Sequence, residues 1–276
     1  MRAGMITLSL SGLDRSGDRP WDGGVRAELA WALRLGYRTV VLDGTRAGLR
    51  ARELDRSARR DLAALLRRQE MSIAGVDLWI PAAHFDDEQR VDRAVSATLG
   101  TIELAADLAT LLGVAEVGGS RGCVSVTLPT EPADALVSLV RAKAESCGVS
   151  VADHTFVAAD AAAQKERLGR TGDQDDPLGV GIDPPTVVAG GGDPAAIAQA
   201  RGAGLKSARL ANVVASARAP LHAKGGAMDE LGYLVALATS GYERHMVVDV
   251  RGVGDQAGAA ADAARRLLPH TPAPTG

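Results

Sequence analysis

Four aspartates, Asp43, Asp153, Asp183 and Asp249, each stand at the end of a short apolar run, and Arg209 with Asn212 stands at the end of another. Carboxylates gathered at one mouth repel each other, so either a cation neutralises them or their pKa values rise. The sequence offers two neutralisers. A divalent metal held by the acids makes a metal site, whereas Arg209 in the same place makes a buried ion network by forking onto Asp183, Asp153 or Asp249.

Other polar residues stand near the same ends. His84 follows the third run, where it meets either a ligand hydroxyl or a loop carbonyl. His154 adjoins Asp153 but points to the opposite face of a regular strand, toward helices or a loop. His222 and Lys224 precede a glycine pair and meet either a substrate phosphate or solvent. Gly190-Gly191-Gly192 has no Lys, Ser or Thr after it, so it reads as a flexible loop closed by an Asp193-Pro194 helix start rather than as a phosphate cradle.

The elements that must hold these residues are legible from periodicity. Apolar runs at 5–10, 39–42, 73–80, 114–117, 149–152, 178–182, 205–210 and 246–250 recur about every 34 residues, the size of a βα unit. The fourth has a second candidate at 123–128. Between them, 51–69 places Leu54, Ala58, Leu62 and Leu65 on one helical face, and 88–112 carries Val91, Val95, Leu99, Ile102, Ala106 and Ala109 on one stripe. Gly113 and Gly148 stop the helices at 88–112 and 132–147, and Asp229 starts another. Eight such units predict a closed (β/α)₈ TIM barrel over 1–268, followed by a Pro-rich tail at 269–276. An open doubly wound sheet is the competing architecture, but no GxGxxG or Walker A pattern follows the first strand. The polar stretch 158–176 reads as a long surface loop with one short helix.

Composition limits the function. The 276 residues carry 31 Lys+Arg against 34 Asp+Glu, a net charge of −3, and 46% are hydrophobic. That balance excludes wholesale disorder and argues against a nucleic-acid partner. The basic residues between Arg46 and Arg68 alternate with acids and lack aromatics, so they make a solvated helix face. No uninterrupted apolar run reaches the ~18 residues of a membrane span. Cys123 and Cys147 form no disulfide or metal pattern. A cytoplasmic protein with no membrane partner is expected, with homo-oligomerisation left open.

Several stretches together resemble the sugar phosphate isomerase/epimerase family of the xylose-isomerase-like TIM barrel superfamily. They are Pro81-Ala-Ala-His84-Phe-Asp-Asp87, Ile102–Gly113, Gly36-Tyr37 with Val40-Val-Leu-Asp43, Gly179-Val-Gly-Ile-Asp183, and Gly225-Gly226 through Val247-Val-Asp249. The resemblance implies a divalent metal, Mn²⁺ or Mg²⁺, on Asp153, Asp183 and Asp249. It also implies that Asp153 and Asp249 act as base and acid in isomerisation or epimerisation next to a carbonyl. His84, Arg209, Asn212 and Lys224 would then contact a small sugar-like ligand. Metal-dependent DNA-repair endonucleases of the same superfamily need more histidines than the five present.

The departures from that pattern are chemical. Asp153 and Asp249 stand where Glu is expected, which retracts each carboxylate by about 1.5 Å. Thr186 and Arg209 stand where histidines are expected, and Arg cannot ligate a metal because it stays protonated. Two functions are therefore expected: a metal-assisted sugar isomerase or epimerase, or an inactive barrel in which Arg209 replaces the metal and the protein binds a sugar-like ligand or a partner.

Overall fold

Strand β1 (Ile6–Ser9) is buried along its length, as it must be when parallel partners flank both edges and helices cover one face. The computed structural model describes residues 6–156 and 175–268. In chain order the elements are β1, α1 (Val25–Arg34), β2 (Thr39–Asp43), α2 (Arg56–Arg68), β3 (Ser72–Leu78), α3 (Val91–Leu112), β4 (Cys123–Val126), α4 (Asp134–Cys147) and β5 (Ser150–Asp153). After the gap come β6 (Leu178–Ile182), α5 (Pro184–Ala189), α6 (Pro194–Arg201), β7 (Ser207–Leu210), the pair β8 (Asn212–Val214) and β9 (Ala217–Ala219), α7 (Glu230–Thr239), β10 (Met246–Val248) and α8 (Gln256–Leu267). Eight of the strands close a parallel barrel in the order β1-β10-β7-β6-β5-β4-β3-β2. The (β/α)₈ expectation holds.

The boundaries differ where local chemistry decides. The fourth strand is the 123–128 candidate, and Val117 makes only an isolated bridge to Ser120. The helix expected at 51–69 breaks, because the Asp55 carboxylate accepts from the amides of Ser57 and Ala58 and so starts α2 afresh. Gly113 and Gly148 end α3 and α4 in the left-handed region, as expected. On α3 the buried face is carried by Ala94, Thr98, Ile102, Ala105 and Leu108, so the predicted stripe is rotated and Val95 and Leu99 are only half-buried. This helix is long and apolar enough to cross a membrane by composition alone, but Ile102, Leu104 and Leu108 are wholly buried in the core. Residue 5, most of 158–176, and 269–276 lie outside the described residues.

Two irregularities shape the barrel. One is a register shift on β2–β3, where Val40 pairs with Ile73 but Val41 pairs with Gly75. The other is the β8–β9 hairpin after β7, turned by Ala215 and Ser216, both with positive φ. That combination belongs to the tight turns that match strand twist. A Cβ on Gly75 would lie 1.8 Å from the Cys123 carbonyl oxygen of the next strand. Gly75→Ala is therefore expected to cost more than about 4 kcal/mol and to yield little folded protein. Gly254→Ala, where a Cβ meets nothing within 4 Å, should melt with the parent in a thermal scan.

Candidate functional site

Arg209 is fully buried and reaches across the lumen from β7 to β3, strands that are not neighbours in the barrel. Its Nη1 donates to Asp77 Oδ2 at 3.0 Å, its Nη2 pairs with Asp77 Oδ1, and Nη2 also donates to Ser125 Oγ at 2.6 Å. Ser9 Oγ adds a 2.6 Å bond to Asp77 Oδ2. The predicted fork therefore exists, but it lands on Asp77. Asp249 lies 3.9 Å from Arg209 Nη1.

Two further arginines complete the network. Arg218, on the β8–β9 hairpin, donates to both oxygens of Asp183 at 2.8 and 2.9 Å and approaches Asp249 at 3.3 Å. Arg251 follows Asp249 by two residues, so in extended chain both face the same side. Its Nε and Nη2 hold the Asp249 carboxylate at 3.0 and 2.6 Å, and its guanidinium lies 3.8 Å from the Trp79 ring centroid. Burial pushes the Asp249 carboxyl up, but Arg251, Arg218 and Arg209 outweigh it and hold the group far below the usual carboxylate range. Burial likewise pushes Arg209 down, and Asp77 and Asp249 more than restore it. Three aspartates face three arginines.

His154, expected to face helices or a loop, faces this network instead. Its ring packs edge-on to Trp79 with centroids 5.2 Å apart and fills the space where Gly181 lacks a side chain. Burial first, then Arg209 and Arg251, push the imidazole well below its ordinary pKa. Both its ring nitrogens and the Trp79 Nε1 have no partner among the described residues. Asp153 is the member of the pair held elsewhere, where its Oδ1 accepts from the amides of Leu128 and Thr155 at 3.0 and 3.1 Å.

The remaining expectations sort by what each side chain touches. Asn212 braces the chain between β7 and α7: its amide donates to the Leu221 carbonyl and its oxygen accepts from Val213 and Met228. Those bonds occupy it, so it is not presented to a ligand. Lys224 is exposed and makes no contact with the network. His222 pairs with Glu230 at 2.5 Å. Asp43 accepts from the backbone and hydroxyl of Thr45 and borders a satellite pair in which Arg15 and Arg46 hold buried Glu28. Gly190 and Gly192 leave room for the Phe156 ring, which accounts for two of the three glycines by packing. His84 Nε2 accepts from Arg90 Nη1 at 3.1 Å, and His84 lines a rim groove with about 1020 Å³ open to the centres of water-sized molecules.

The donor set does not suit a resident divalent metal. Asp77, Asp183 and Asp249 each give both oxygens to guanidinium groups. No group of three or more His, Cys, Asp or Glu side chains among the described residues converges as metal ligands. A cation entering here would sit beside three positive charges. Asp77, Trp79, Arg218 and Arg251 were not singled out from sequence. Asp77 is a charge inside an apolar run and Arg251 lies at i+2 from Asp249, both readable signals; Arg218 carries none.

Truncating the central pair should expose its energetics. Arg209→Met leaves Asp77 buried with only Ser9 for a partner and should cost about 3–5 kcal/mol, whereas Arg209→Met with Asp77→Asn should recover most of the loss in a denaturant melt. The pH dependence follows from two depressed groups. Unfolded His takes a proton below about pH 6.5 while folded His154 does not, so the unfolded state binds more protons and stability falls as pH drops through that value. His154→Gln should flatten the melting-temperature slope between about pH 5 and 6.5. The steeper loss below about pH 4, where unfolded Asp protonates and folded Asp249 does not, should persist.

No family profile matches the chain, and no curated protein sequence matches it. Solved structures do. D-psicose 3-epimerase with D-tagatose from Clostridium cellulolyticum H10 is 13% identical, covering 96% of this chain and 100% of its own, with a TM-score of 0.64. A xylose isomerase-like TIM barrel protein from Mycobacterium smegmatis in complex with magnesium is 14% identical over 95% of each chain, with a TM-score of 0.65. The probable 3-DHS dehydratase AsbF from Bacillus anthracis is 11% identical, covering 96% and 99%, with a TM-score of 0.66. The chain folds as a closed (β/α)₈ TIM barrel, the same architecture as these xylose isomerase-like structures.

Proposed function

We propose that the protein is a metal-independent barrel that binds a small sugar-like ligand at its C-terminal rim, with a sugar phosphate as the best chemical fit. The observation that carries this reading is the closure of the mouth: Arg218 and Arg251 take up Asp183 and Asp249, two of the three carboxylates expected to hold an ion, and Asp153 gives its Oδ1 to the Leu128 and Thr155 amides. Space for a ligand lies beside the mouth. The rim groove is lined by Thr45, Arg50, His84, Arg90 and Arg93, among others; of its five arginines, Arg50, Arg52, Arg59 and Arg90 pair with Glu53, Asp107 and Asp87, and Arg93 has no acidic partner among the described residues. Guanidinium groups recognise phosphate by paired hydrogen bonds, and a cavity of this size accepts a small ligand.

A second reading, a sugar isomerase or epimerase using Mn²⁺ or Mg²⁺, draws support from the likeness to an epimerase and to a barrel in complex with magnesium. It requires Arg218 and Arg251 to leave Asp183 and Asp249. Thermal melts separate the two. The metal-independent protein should show no saturable rise in melting temperature with Mn²⁺, Mg²⁺, Co²⁺ or Zn²⁺, while Arg218→Gln with Arg251→Gln should gain one with Mn²⁺. In calorimetry, fructose 6-phosphate should bind more tightly than D-tagatose, and Arg93→Gln should weaken that binding by about tenfold, as loss of a charge-assisted bond would. A saturable metal response of the parent protein would overturn this reading in favour of the second.

A further inference from the structure

The opposite end of the barrel holds a second cavity, at the N-terminal ends of the strands, with about 40 Å³ open to the centres of water-sized molecules. One water needs about 10–15 Å³ by this measure, so the space suits a compact ion of several heavy atoms. Its lining includes Ser120, Arg121, Lys206, Arg209, Arg244 and His245, and no Asp or Glu. Like charges crowded around a cavity repel one another. Burial and the neighbouring Arg244 push the Lys206 ammonium down to about 8.

Among the described residues, the carboxylates near Arg121, Arg209 and Arg244 are already engaged or stand outside the lining. Glu116 pairs with Arg121 from the exposed side at 3.5 Å, and Asp77 is committed to Arg209. Asp175 and Asp176 act on Lys206 from outside the lining, and Asp176 is held by Arg141. Two donors are left over. Arg209 and Arg244 are each more than nine-tenths buried, both line the cavity, and the Nε of each has no acceptor among the described residues. Buried guanidinium N–H groups without acceptors are costly, and an anion supplies what they lack. Arg244 is already oriented, since its Nη1 donates to Ser120 Oγ at 2.6 Å and its Nη2 to the Gly118 carbonyl.

We infer that the floor of the barrel is a binding site for a compact oxyanion, of the size of inorganic phosphate or a short carboxylate, held by Arg244, Arg209 and Arg121. Apart from Arg209, nothing in the mouth or the rim groove is needed for it. The site shares one residue with the mouth: Arg209 lines the floor cavity, and its Nη groups bond Asp77. An anion on the floor therefore sits one guanidinium away from the central ion pair.

The test is a thermal melt of the full chain at fixed ionic strength, titrated with inorganic phosphate and, separately, with acetate. Phosphate should raise the melting temperature saturably, by about 5 °C near saturation. Arg244→Gln should abolish the rise. Because that variant risks misfolding, Arg121→Gln serves as the second: its side chain is half exposed, so it should fold normally and weaken the half-saturating phosphate concentration by about threefold to tenfold, the effect of one partly screened charge. Arg93→Gln, in the rim groove, should leave the rise intact. A response to acetate as strong as that to phosphate assigns the site to carboxylates. No response to either anion, or a phosphate response lost in Arg93→Gln but kept in Arg121→Gln, overturns the inference.

Discussion

The Arg209–Asp77 pair is the constraint around which the barrel is arranged. Both groups are fully buried, so each would lose several kcal/mol of hydration if left alone. Coulomb attraction in the low-dielectric interior offsets that cost only when every remaining polar site is filled. Ser9 and Ser125 fill most of these sites, one bonding the carboxylate and the other the guanidinium, and the Arg209 Nε is the one left without an acceptor among the described residues. Strands β1, β3, β4 and β7 are thus tied through the lumen and not only through their ladders. Such a pair contributes little net stability compared with an apolar core; what it fixes is which strand faces which.

Room for it comes from small residues elsewhere. A barrel of this size is ordinarily filled by layers of branched apolar side chains. Here Gly179 lies under the Lys206 side chain and Gly181 under the His154 ring, and a Cβ at either would collide with them. With little bulk from the strands, long basic side chains become the filling, and each long cation then needs a carboxylate or hydroxyl within reach. The fork of Arg218 onto Asp183 and of Arg251 onto Asp249 repeats at the rim what Arg209 does at the centre.

Much of this was legible in the amino-acid sequence, and the rest was hidden for identifiable reasons. Strand spacing and the Gly113, Gly148 and Asp193 signals read correctly because they are local: positive φ at a helix end, or a carboxylate reaching two or three residues on, depends on few neighbours. The closing of acids by an arginine was also readable, since uncompensated charges are not buried together. The choice of partner was not. Arg209 lands on Asp77 because β3 lies across the lumen, a fact of closure that no local pattern carries, and Arg218 arrives on a hairpin that periodicity did not reveal. The face of the Asp153-His154 pair was inverted because Asp153 satisfies itself on the Leu128 and Thr155 amides, leaving the histidine to the lumen.

Charge balance separates the regions of the molecule. In the mouth, three guanidinium groups meet three carboxylates, so a ligand there meets a neutral, hydrogen-bonded surface with no field to steer it. A metal ion and an arginine trio solve the same problem of crowded carboxylates, but only the metal leaves an open coordination position for a substrate oxygen. Once arginine is the solution, recognition by charge has to move to where cations exceed acids. The rim groove, where Arg93 has no acidic partner among the described residues, and the floor cavity, whose lining holds basic residues and no acid, are the places proposed for it. The arginines that close the mouth are therefore consistent with the proposed anion recognition lying beside it and beneath it.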